Sequence, residues 1–129
     1  MTTKEARERA LSIFETFPPA PLDTTSANIR RCMQMMERAA DIAQAEGYDA
    51  EDRRRFAQVA YKLAMPPLSD AKSIKAHIAC IANGIALQMI DGREAGQMLY
   101  AAQVALSLHN AEERKAKQVA KQQKARRAA

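Results

Sequence analysis

His77 and Cys80 stand three residues apart, a spacing that places two metal ligands on one face of a helix. A four-ligand site would need the other histidine and the other cysteine, His109 and Cys32, to join them through the fold alone, so the spacing falls short of a metal motif. Glu37 with Asp41, and Glu51 with Asp52, bring carboxylates close along the chain, but they read as charged helix surface rather than an acid–base pair. Neither histidine has serine, cysteine and carboxylate neighbours in a suggestive order, and no Gly-rich phosphate loop, dinucleotide fingerprint or C-x-x-C pair occurs. The expectation is a non-enzymatic protein with no cofactor and no metal.

Cations are the remaining chemistry. The net charge is +5, and its placement matters more than its size. Residues 1–70 hold ten Lys/Arg against eleven Asp/Glu, and residues 71–110 hold three against two. Residues 111–129 hold seven against two, so the whole excess lies in the tail. Arg114, Lys115, Lys117, Lys121, Lys124, Arg126 and Arg127 are enough to neutralise several phosphates with strongly salt-dependent, sequence-independent affinity for DNA or RNA. The tail lacks aromatic residues, so backbone contact is expected and base stacking is not. The competing reading of such a tail is a solubilising end. A second basic run, Arg53-Arg54-Arg55, lies beside Glu51 and Asp52 and reads as solvated helix surface.

These groups must be positioned by helices. At 129 residues, 47% hydrophobic and 5% aromatic, the chain suits one domain with a core of Ala, Leu, Ile, Val and Met. Four of its five prolines form two pairs, Pro18-Pro19 and Pro66-Pro67, that punctuate helix-rich sequence. Thr2 and Glu5 form a capping box for a first helix ending near Phe17, followed by an extended connector at Pro18-Pro19-Ala20-Pro21. A second helix starts at Thr25 or Ser26 and stops at Gly47, with Ile29, Cys32, Met33, Met36, Ala40 and Ala43 as its apolar stripe. Met33, Met35 and Met36 read as core filler, the alternative being an adaptable partner surface. A third helix follows Asp49, with Phe56, Val59, Ala60 and Leu63 inward.

A fourth helix runs from Ser69 or Asp70 to about Ile90, its seam Ile74, Ile78, Ile81, Ile85 and Met89. It is apolar nearly all round and is therefore expected at the centre. Asp91 caps a fifth helix, Gly92 relieves the turn, and His109-Asn110 marks its end or a weak point. Tyr100 and Gln103, three apart on one face, are expected to share a hydrogen bond with a backbone group or with Asn83. The tail beyond has high helix propensity but a single large apolar residue, Val119, and is expected to be frayed or disordered alone and helical on a surface. The fold class is all-α: a compact bundle of about five helices over residues 1–110, with a central hairpin of helices 4 and 5 and a basic extension over residues 111–129.

The run Asp91-Gly92-Arg93-Glu94-Ala95-Gly96-Gln97-Met98-Leu99-Tyr100-Ala101-Ala102-Gln103-Val104-Ala105 resembles a stretch shared by a group of small uncharacterised bacterial all-helical proteins. Together with the apolar helix and the acidic turn that lead into it, the resemblance covers about a third of the chain. It implies a recurring helical architecture and brings no catalytic residue. The chain departs at Gln97 and Ala102, where the group more often has leucine, which implies looser packing there.

Residues 73–90 look apolar, but Lys75, His77, Asn83 and Gln88 interrupt them, so no membrane span is expected. The charged N-terminus lacks a secretory h-region, and two widely spaced cysteines suit a reducing compartment. A cytoplasmic protein is the expectation. Its functional reading is nucleic-acid backbone contact through the tail. The alternative is a helix-mediated protein-docking or homodimerising module, of the kind found in phage or mobile elements.

Overall fold

Five side chains each stand one residue ahead of a helix, and each accepts a backbone N–H from three residues on. They are Thr2, Thr24, Asp49, Asp70 and Asp91. The helices they open are α1 (Thr3–Phe14), α2 (Thr25–Ala45), α3 (Ala50–Leu63), α4 (Ala71–Ala86) and α5 (Gly92–Ala128). In this computed structural model the described residues are 1–17, 19 and 21–128, and among them every regular element is a helix. The connector expected at Pro18-Pro19-Ala20-Pro21 lies partly outside the described residues, which omit Pro18 and Ala20.

Helix ends follow local chemistry more than apolar reach. α1 stops at Phe14 rather than near Phe17, where the Thr16 hydroxyl donates to the Ile13 carbonyl at 2.8 Å and the chain tightens into a turn ahead of proline. α2 ends as expected at Gly47, whose φ of +80° lets Tyr48 N–H reach the Ala43 carbonyl at 3.0 Å. α4 ends four residues short of Ile90, at Ala86. There Gln88, not Gly92, takes the left-handed conformation (φ 59°), and Met89 N–H closes on the Gly84 carbonyl at 2.8 Å. Gly92 is the first residue of α5 and plays no part in that turn.

The most extensive packing is between α2 and α3. α1 lies on α3, α4 packs on α2, and α5 leans on α4. The hairpin of α4 and α5 is therefore a flank rather than the centre expected from the apolar length of helix 4. Buried alanines, among them Ala6, Ala10, Ala39, Ala43 and Ala60, bring the first three helices close around Met35, Phe56 and Tyr61. The inward stripe of α2 is Asn28, Arg31, Cys32, Met35, Ala39 and Ala43, about one residue out of phase with the expected one. Ile29, Met33, Met36 and Ala40 are only half-buried. On α3, Ala57 and Tyr61 join Phe56 and Ala60 inside, while Val59 and Leu63 are half-buried.

Gly84 is where α4 meets Tyr61 and Ile90. A Cβ there would lie 2.7 Å from Ile90 Cδ1 and 2.9 Å from Tyr61 Cε1, and both side chains are themselves buried. Alanine improves helix propensity by about 1 kcal/mol, whereas overpacking costs about 1–3 kcal/mol and, against two buried side chains closer than 3.0 Å, about 2–3 kcal/mol. Gly84→Ala is therefore expected to lower stability by about 1–2 kcal/mol, read as a lower urea midpoint at unchanged slope. A midpoint equal to or above that of the parent would mean that the contact is not this close.

Candidate nucleic-acid interface

The expected binding residues all sit on α5, a helix of 37 residues and so about 55 Å long. Its first half is held to the body by Ala95 and Ala102, both buried, with Leu99 and Leu106 half-buried beside them. Of the two positions where the chain departs from the resembling stretch, Ala102 is fully buried and Gln97 is exposed. Lys62 Nζ pairs with Glu94 at 2.8 Å and fixes the start of α5 to α3. His109 lies near the Asp70 cap of α4, where hydrogen bonds from the Ser73 N–H and hydroxyl, aided by His109, hold the Asp70 carboxyl below its ordinary pKa. Its Nε2 also faces Glu113 at 3.6 Å.

The helix does not end at His109-Asn110. It continues unbroken to Ala128, because the segment holds no Gly or Pro and is rich in Ala, Lys, Arg and Gln. Every residue from Asn110 to Ala128 is exposed. Arg114, Lys117, Lys121 and Lys124 follow one another at steps of three and four residues and share one face, within an arc of about 80°. Lys115 and Arg126 occupy nearly the opposite side, and Arg127 a third direction. Arg126 and Arg127 also lie in the last turn, where cations complement the helix dipole. No acidic residue follows Glu113.

Elsewhere the structure separates residues that the sequence invited us to group. The His77 ring Nδ1 lies 2.8 Å from the Pro66 carbonyl, and His77 is thereby tied to the α3–α4 connection. Cys80 meets Cys32 instead: both are fully buried where α4 packs on α2, and the hydrogen bond between their thiols, with burial, pushes the Cys32 pKa up. Among the described residues no three His, Cys, Asp or Glu side chains are placed to hold a metal ion. Arg55 of the basic run donates to the Met1 carbonyl at 2.6 Å and faces Glu51 at 3.7 Å, so at most Arg53 and Arg54 remain for a phosphate.

The expected polar cluster of Tyr100, Gln103 and Asn83 does not form. Tyr100 is 71% exposed and projects from the side of α5 opposite Ala95 and Ala102, and Gln103, about a quarter-turn from them, is exposed as well. Asn83 donates to the hydroxyl of Tyr61 at 3.0 Å, and that hydroxyl donates to the Cys80 carbonyl at 2.6 Å. Burial raises the Tyr61 pKa well above its ordinary value. Met35 is core, while Met33 lines an open groove of about 510 Å³ with Ser26, Ile29, Arg30, Gln34 and Glu37. All six residues come from α2, so the groove is a surface trough, not an enclosed small-molecule site. No helix among the described residues is long and apolar enough to cross a membrane. No family model, curated protein or solved structure matches the chain.

Proposed function

We propose that this protein is a non-enzymatic helical binding protein that contacts nucleic-acid backbone through the cationic end of α5. One observation carries the reading: seven exposed cations project on a helix that extends about 27 Å beyond Asn110, with no acid after Glu113. Like charges at steps of three and four residues weaken an isolated helix, and a tail serving only to solubilise would gain by mixing signs. Phosphates relieve that repulsion. The test is fluorescence anisotropy of a labelled duplex against the full chain and a chain ending at Asn110, across a salt series. Seven contacts give a log–log salt slope of about −6, and the shortened chain is expected to show no binding. Absence of binding by the full chain at low salt would leave the tail as a solubilising end.

A second reading, helix-mediated homodimerisation, is favoured by one feature. Tyr100, Val104 and Leu108 are 71%, 41% and 61% exposed and recur every four residues along α5. Sedimentation of the chain ending at Asn110 in high salt decides it: persistent dimer supports this reading and monomer removes it.

A further inference from the structure

The distribution of charge around the projecting part of α5 says more than its total. A helix adsorbed on an anionic membrane needs cations on one side and a continuous apolar face on the other. Here the side away from Arg114, Lys117, Lys121 and Lys124 carries Val119 as its one large apolar residue and two further cations, Lys115 and Arg126, with the acid Glu112 on the same flank. The two cationic flanks are separated by about 150° on the shorter way round. That shorter arc holds only Ala111, Gln118, Gln122 and Ala125, small or amide side chains with no charge.

Such a cross-section fits a channel whose two walls are phosphate and whose floor offers hydrogen-bonding edges. The major groove of B-form DNA is about 12 Å wide and admits a helix of about 10–12 Å diameter, with one phosphate strand on each side. The deep, narrow major groove of A-form RNA does not admit one. Glutamine is also the side chain that pairs in bidentate fashion with adenine N6 and N7 on the groove floor.

We propose that residues 111–128 form a reading helix for duplex DNA. It lies in the major groove with Arg114, Lys117, Lys121 and Lys124 on one phosphate strand, Lys115 and Arg126 on the other, and Gln118 and Gln122 toward adenine edges. This rests on the backbone-contact reading above and narrows it to one nucleic acid and one groove. All the residues concerned are exposed, so their replacement leaves the core untouched.

The test uses the full chain with a DNA duplex, an RNA duplex of the same sequence, and the same DNA carrying 7-deazaadenine, which lacks the major-groove N7. Affinity for DNA is expected to exceed that for RNA by about tenfold or more at equal salt. Lys115→Gln with Arg126→Gln is expected to make the DNA salt slope shallower by about 2. 7-Deazaadenine is expected to weaken binding by about fivefold or more, a penalty that Gln118→Ala with Gln122→Ala abolishes. RNA bound as tightly as DNA, an unchanged slope, or indifference to 7-deazaadenine would each overturn the groove assignment while backbone contact stands. Failure to bind either duplex would overturn both.

Discussion

Replacing Arg31 with alanine is expected to destabilise the fold by about 3–4 kcal/mol, a large fraction of the 5–15 kcal/mol typical of a domain. Arg31 is 5% exposed and projects from α2 into the contact with α3. Its guanidinium donates to the carbonyl of Ala64, the residue that closes α3. The last carbonyls of a helix lack intrahelical donors, and this one gains a cation at the negative end of the helix dipole. The same guanidinium stacks 4.8 Å from the centroid of Phe14, at the end of α1. One side chain therefore joins three helices. A charge-assisted hydrogen bond contributes about 1.5–3 kcal/mol, and a desolvated cation–π contact up to about 2. The stem adds packing that alanine cannot replace. Burial lowers the Arg31 pKa, a desolvation cost that these interactions offset only while all of them are made. Urea unfolding measures the loss, and Arg31→Met, which keeps the stem but not the donor, should fall between parent and alanine. A loss below about 1 kcal/mol for alanine would remove Arg31 from this junction.

Arg31 also shows why the sequence was legible in outline and misleading in detail. Capping residues, proline pairs and Gly47 set the number and order of helices, because these signals act within a few residues. The inward face of α2 depends on which side chains find partners after folding. Asn28 is 1% exposed because its amide binds the backbone of Leu22 and Thr24, and Arg31 is buried through Ala64 and Phe14. Reading apolar residues alone left both off the stripe and rotated it onto Met33 and Met36. Tyr61 was passed over for the same reason. Its hydroxyl is satisfied by Cys80 and Asn83, residues of the next helix that no spacing within α3 points to.

Helix 4 misled in the opposite direction. Its apolar residues suggested a central position, yet Ile85 is 43% exposed. Small residues on α2 and α3 let those two helices, poorer in large aliphatics, approach more closely and build the core. The tail was legible in its charge but not in its order. Charge segregation is a property of sequence alone, and continuous helix formers then dictate where the charges point. What sequence did not reveal was that α5 runs unbroken from packed body to bare projection, which sets seven tail cations on the faces of one helix.

That helix makes the largest expected effect on binding a matter of position as well as number. On the proposed function, changing Arg114, Lys117, Lys121 and Lys124 together to glutamine is expected to lower duplex affinity by about 10³-fold near 0.15 M salt. With about 0.9 counterions released per phosphate contact, each contact contributes roughly fivefold relative to 1 M salt. Thermal stability should be unchanged or slightly higher, since glutamine is a good helix former and the repulsion within the stripe is gone. A companion chain with residues 114–128 reordered at constant composition, so that no face carries more than two cations, separates stripe from total charge. If a fixed helical face meets a phosphate strand, the reordered chain binds at least about tenfold more weakly than the parent and with a shallower salt slope. If it binds equally well, the tail acts as a diffuse polycation and the helical register of its charges is irrelevant.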